Sequence, residues 1–216
     1  MPRVSLSSPG QHANISFQIT LLQNIFDTLI NSFIETKVGI ADDFLSSTLS
    51  THLKENLEAL YSENKLQHAG TGNKTSTHNK AVRSDIIYWL DRSHNNVYEN
   101  IFLDHVDEFI LHLNNTCYTG ITGYEFHYTL YEKGSFYTKH LDQFRNNDSR
   151  KYSVIIYLNE NWRPQDGGEL CIHHNGYTQK ISPESGKAIF FKSSEMEHEV
   201  LLTNATRMSI TGWLKV

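Results

Sequence analysis

The sequence predicts an α+β domain, mainly β, with its helices in the first half and most of its strands in the second. Two observations carry this. Apolar residues recur at spacings of three and four up to about residue 113, and from Gly123 onward short β-branched and aromatic runs alternate with turn residues. A chain of 216 residues, 38% hydrophobic and 20% charged, suits one sizeable core. We expect residues 1–15 to be a disordered lead-in and 16–216 a single domain, with helices mainly in 16–113 and most of the β core in 121–216.

In chain order, the apolar residues from Phe17 to Phe33 suggest a helix opening near Asn14 or Ser16, and Val38 to Phe44 reads as a short strand. Ser46-Ser47-Thr48 offers an N-cap, and Leu49, Leu53, Leu57 and Leu60 follow on one helical face. The stretch Ala69 to Lys80 is polar and rich in turn residues, the composition of a surface connection or of a lid over a site. A further helix spans about Val97 to Leu113, with Tyr98, Ile101, Phe102, Val106, Phe109, Ile110 and Leu113 as its stripe. Strands are expected at Tyr124 to Tyr131, Tyr152 to Leu158, Gly168 to His173, Ala188 to Lys192, Glu197 to Leu202 and Arg207 to Val216, in a set of seven or eight. Short strands following helices imply an antiparallel sandwich or barrel braced by helices on one side.

The formal net charge of −5 supplies no basic stripe and argues against a nucleic-acid partner. No apolar run approaches the roughly 20 residues of a membrane helix, and the first ten residues lack an apolar signal centre, so a cytoplasmic protein without a membrane partner is expected. Only Cys117 and Cys171 are present; both are expected to be reduced, half-buried thiols, and the chain a monomer. Asn73-Lys74-Thr75 then has no glycosylation role.

The chemistry concentrates in His140-Leu141-Asp142, His198, Arg207 and Ser209. On a strand, positions two apart face one way, so His140 and Asp142 would present an imidazole and a carboxylate to one point, with His198 as third ligand. Two imidazoles and one carboxylate leave coordination positions open, as ferrous oxygen chemistry requires, and the same set also suits zinc. With 12 histidines in the chain, other local sets compete: Glu125 with His127, His173-His174, and His105 with His112. Arg207 separates them. On the last strand it shares a face with Ser209, Thr211 and Trp213; a cation facing the interior needs an anion, and Ser209 can donate a second bond. The competing arrangement exposes Arg207 on an edge strand with Met208 and Ile210 inward.

These residues, with Val38 to Leu45, Arg83-Ser84-Asp85-Ile86-Ile87-Tyr88-Trp89, Tyr131 to Asp142, Ile156-Tyr157-Leu158-Asn159 with Trp162, Gly167-Gly168-Glu169-Leu170 and His198 to Trp213, give the chain its resemblance. From about Ile34 to the C-terminus it resembles the 2-oxoglutarate/Fe(II)-dependent dioxygenases, prolyl 4-hydroxylase branch, which holds the hypoxia-sensing prolyl hydroxylases and their bacterial relatives. The resemblance implies a double-stranded β-helix (jelly roll) core with helices packed on one sheet. It implies Fe(II) on His140, Asp142 and His198, and 2-oxoglutarate held by Arg207, Tyr157, Tyr131, Ser209, Thr211, Leu170 and Ile155. The stretch from Tyr131 to His140 is one residue shorter than in the hypoxia-sensing members. Asp85, Trp89, Tyr137, Arg150 and Trp213 would surround the substrate or order a mobile loop at 69–82 over it. The implied activity is O2-dependent hydroxylation of a prolyl residue in a protein partner, coupled to decarboxylation of 2-oxoglutarate to succinate and carbon dioxide, with L-ascorbate as activator. The carboxylate of Asp142 favours hydroxylation over halogenation, since halogenating members lack it. A hydroxylase of a free amino acid or other small molecule would share this metal centre, and a non-catalytic metal-binding sensor or interaction module is a third reading.

Overall fold

The computed structural model describes residues 9–70, 82–143 and 148–216. Three helices, α1 (Pro9–Thr36), α2 (Ser47–Ser62) and α3 (Val97–Cys117), accompany eleven strands. The strands are β1 (Val38–Ala41), β2 (Gln67–His68), β3 (Ile86–Trp89), β4 (Gly123–Tyr131), β5 (Tyr137–His140), β6 (Arg150–Tyr157), β7 (Leu170–His174), β8 (Tyr177–Ile181), β9 (Ala188–Lys192), β10 (His198–Val200) and β11 (Arg207–Lys215). No helix among the described residues is long and apolar enough to cross a membrane.

The helices form where the sequence signals them. Ser46 caps α2, its hydroxyl accepting from the Leu49 amide, and Leu53 and Leu57 are fully buried beneath it. Asn96 caps α3 by accepting from the amides of Tyr98 and Glu99. The lead-in expected over 1–15 needs correction. Residues 1–8 lie outside the described residues, but helix α1 already begins at Pro9. The loop expected at 69–82 lies mostly outside them too, at 71–81.

The strands form two sheets, and every paired neighbour is antiparallel. The larger has the order β1-β9-β6-β11-β4-β3-β2 and the smaller β5-β10-β7-β8. Seven or eight strands are thus too few: β2, β3, β5 and β8 were not among the expected runs. Three of these are very short or mostly polar, and Ile86–Trp89 follows a polar stretch of sequence that hides it. Strand β1 ends at Ala41 rather than Phe44, because Asp43 adopts a left-handed backbone (φ 56°) that breaks the extended run.

The alternation of β11 sorts two cores. Met208, Ile210 and Leu214 join Phe26, Leu29, Phe102, Phe109 and Phe190 in the layer between the large sheet and the helices. On the other face, Ile155, Tyr157, Leu170, Ile172, Ile189 and Phe191 fill the space between the sheets. Each such side chain contributes on the order of 1.5–3 kcal/mol by leaving water. Strand β11 lies between β6 and β4, so the edge-strand alternative for Arg207 is excluded: that side chain is buried. The cysteines also differ from expectation, for Cys117 is exposed on the last turn of α3 while Cys171 is buried in β7; both are free thiols.

Candidate active site

His140 ends β5 and pairs across the small sheet with His198, which opens β10. Asp142 does not share their strand. It lies in a bend two residues beyond the end of β5, and that bend, rather than strand alternation, returns its carboxylate to the imidazoles. His140 Nε2 stands 3.5 Å from Asp142 Oδ1, and His198 Nε2 3.7 Å from Oδ2. Both imidazoles contact backbone carbonyls through Nδ1, His140 with Thr138 at 2.8 Å and His198 with Met196 at 3.0 Å. With Nδ1 donating there, each Nε2 is left as a lone-pair donor toward a common point, and the three side chains could hold one metal ion.

The surroundings keep the ligands in metal-ready form. Burial raises the Asp142 carboxyl, but His198, His140 and the Ser153 hydroxyl outweigh it and hold the group well below the usual carboxylate range. Burial lowers the His198 imidazole and so favours its neutral, ligating state. Ser153 Oγ donates to Asp142 Oδ2 at 2.6 Å and itself contacts Ser193 Oγ at 2.9 Å.

Beside this set lies a cavity of about 790 Å³, bordered by all three metal-ligand candidates. Arg207, 1% exposed, reaches its inner end. Its Nε donates to Gly168 O at 2.8 Å, and no carboxylate pairs with it among the described residues. Gly168 earns its place by geometry. Its φ is +66°, and an added Cβ would stand 2.9 Å from Thr203 Oγ1 and 3.2 Å from Arg207 Cδ. The preceding Gly167 carbonyl accepts from Trp162 Nε1 at 3.0 Å, and Asn159 fixes the start of β11 by accepting from the Met208 amide at 2.6 Å.

Around that cation, Tyr157 Oη and Ser209 Oγ are buried, with no hydrogen-bond partner among the described residues. Burial pushes the Tyr157 hydroxyl up to about 12, with Arg207 limiting the rise, so it remains a donor. The guanidinium carbon lies 5.0 Å from the Tyr131 ring centroid and 5.1 Å from that of Tyr157. A buried guanidinium with unsatisfied hydroxyls beside it is a cradle for an anion. Ile155, Leu170, Thr211 and Tyr131 line the same cavity as Arg207 and the metal-ligand set.

The outer part of the cavity gathers Asp85, Trp89, Tyr137, Arg150 and Trp213. The Arg150 guanidinium carbon stands over Trp213, 3.4 Å from the ring centroid, and Arg150 forms an ion pair with Glu125 at 2.8 Å. Both oxygens of Asp85 accept from Arg83, at 2.7 and 2.5 Å. The guanidinium of Arg83 also covers Tyr137, whose ring stacks on His140 with centroids 3.6 Å apart. The contacts thus run from Asp85 through Arg83 and Tyr137 to His140. Sequence reasoning left Arg83, His127, Thr129 and Ser153 out of the site. His127 sits between Trp89 and Trp213, with burial pushing its imidazole down to about 4. The signal for it was the alternation of β4, which sets His127, Thr129 and Tyr131 on the face that borders the cavity.

Residues 126–215 match the family model of the 2OG-Fe(II) oxygenase superfamily. The chain is 30% identical over 207 residues to a hypoxia-inducible factor prolyl hydroxylase of Caenorhabditis elegans, a match covering 89% of this chain but 28% of that relative. A Pseudomonas putida prolyl-4-hydroxylase structure is 30% identical, covers 88% of this chain and 98% of its own, and superposes with a TM-score of 0.79. The chain belongs to the 2OG-Fe(II) oxygenases, in their prolyl hydroxylase branch. A prolyl hydroxylase of Trichoplax adhaerens, solved with a hypoxia inducible factor oxygen degradation domain peptide fragment, is 26% identical, with 92% of each chain covered and a TM-score of 0.83.

Oxygenases of this family use Fe(II) and 2-oxoglutarate, and the residues present fit both. The His140, Asp142 and His198 donors suit iron, and the buried Arg207 with its two unsatisfied hydroxyls suits a dicarboxylate. Membership in this family resolves the choice that the donor set alone left between iron and zinc.

Proposed function

We propose that the chain hydroxylates a prolyl residue of a protein substrate, consuming dioxygen and 2-oxoglutarate and releasing succinate and carbon dioxide. The observation that carries this reading is the buried Arg207, without a carboxylate partner among the described residues, in the same cavity as the His140, Asp142 and His198 set. Bound Fe(II) and 2-oxoglutarate supply the oxidising chemistry. The chain's own part is position and electrostatics.

In this reading His140, Asp142 and His198 hold the iron, and Arg207, Tyr157 and Ser209 take the far carboxylate of 2-oxoglutarate by donating to it. Tyr131, Thr211, Leu170 and Ile155 shape and dry the space between. Trp89, Trp213 and Arg150 form the mouth, offering two aromatic faces and a cation to a peptide, while Asp85 and Tyr137 steady the His140 ring. The two sheets, with the helices on one of them, are the halves of a double-stranded β-helix. A prolyl substrate is favoured over a free small molecule by the relatives with names that specify prolyl hydroxylation, and by a mouth with Trp89 46% exposed at its rim.

The test is an assay of purified protein with Fe(II), 2-oxoglutarate, ascorbate and proline-containing candidate proteins, read by mass spectrometry and succinate release. The expected product is a prolyl residue heavier by one oxygen atom, formed in step with succinate. Oxidation of a free amino acid with no modified protein would favour the small-molecule reading instead.

A further inference from the structure

We propose a second metal site, on the outer face of the small sheet, formed by Cys171, His173 and Glu199 and suited to a borderline-soft divalent ion such as Zn(II). Strand alternation separates it from the iron set. In β7, Leu170 and Ile172 face the core between the sheets, so Cys171 and His173 face outward. In β10, His198 faces inward and Glu199, its neighbour, outward directly opposite Cys171 in register.

The donor atoms of the three side chains all lie within 4.8 Å of one another. His173 Nε2 is 2.9 Å from Glu199 Oε1, and these two side chains are 28% and 29% exposed, while Cys171 is buried beneath them. The His173–Glu199 ion pair, with the Cys171 thiol hydrogen-bonded to the same carboxylate, brings three metal-binding donors to one point on the sheet. Sulfur, imidazole nitrogen and carboxylate oxygen are the donors zinc accepts in tetrahedral sites, with a fourth position left for water. Binding would release the thiol proton to solvent. The ion would clamp β7 to β10, the strand that carries His198 on its other face.

Cobalt(II) is the probe, because a sulfur-to-cobalt charge-transfer band arises only when a thiolate is bound, and the iron set contains none. The full chain carrying Asp142→Ala is titrated with Co(II) without air. The expected result is one equivalent bound with that band, unchanged when Cys117→Ser is added and lost when Cys171→Ser is added. His173→Gln, at a partly exposed position, is expected to weaken binding by at least roughly tenfold. Absence of the band, its loss with Cys117→Ser, or unchanged affinity in His173→Gln would each overturn the proposal.

Discussion

Ser153, on β6 of the large sheet, donates a 2.6 Å hydrogen bond to Asp142, which follows β5 of the small sheet. The hydroxyl holds Asp142 Oδ2 and so orients the carboxylate toward the metal position without touching that position itself. Such outer partners contribute about 10–100-fold to metal affinity. Ser153→Ala is accordingly expected to weaken Fe(II) binding within that range and, by leaving buried Asp142 and Ser193 without this partner, to lower stability by about 1–3 kcal/mol. An unchanged iron requirement would remove Ser153 from the site.

Arg207 is buried with Gly168 O as its hydrogen-bond acceptor, which leaves most of its donors for an anion. Removing one partner of a buried charge pair costs about 2–5 kcal/mol. Arg207→Ala should therefore raise the 2-oxoglutarate requirement at least roughly thirtyfold, while Fe(II) binding is kept. Steady-state kinetics at varied 2-oxoglutarate checks this, and wild-type kinetics would refute the role.

Asp85 and Arg83 form a buried, two-pronged ion pair beneath Tyr137. Breaking such a pair leaves an uncompensated charge and costs about 3–5 kcal/mol. Asp85→Ala should lower stability by that order in urea denaturation of the metal-free protein. If stability is retained and only substrate binding falls, Asp85 contacts substrate directly instead.

His105 lies in the helical layer, 5.3 Å from Phe26 and 4.7 Å from Phe44 between ring centroids, and burial pushes its imidazole down to about 4. The unfolded chain binds that proton near pH 6.5. Above 6.5 neither state is charged there; between 6.5 and about 4 only the unfolded state is, so stability falls as the pH falls through that window. From pH 7 to 5 the loss from this group is at most about 2 kcal/mol. His105→Met should remove that share of the acid sensitivity, and an unaltered pH dependence would contradict it.

Much of this was legible in the sequence because periodicity and burial coincide. The leucines of α2, the stripe of α3 and the alternation of β11 report directly which face meets a core, and β11 thereby revealed that Arg207 points into the protein. Strands such as Tyr137–His140 and Tyr177–Ile181 were hidden because they carry polar side chains and few apolar ones. The bend that returns Asp142 to the imidazoles, and the hydroxyl of Ser153 that meets it, depend on two sheets facing each other. No local pattern encodes such a meeting.

In the proposed function this cavity oxidises a prolyl residue in a protein through iron held by His140, Asp142 and His198. The most direct measurement is a map of hydroxyproline across the proteome of cells carrying the intact chain, compared with cells carrying Asp142→Ala. The account predicts discrete prolyl sites that gain one oxygen atom with the intact chain and stay unmodified with the variant. Identical maps, accompanied by oxidation of a free small molecule in extracts of the intact strain, would contradict it.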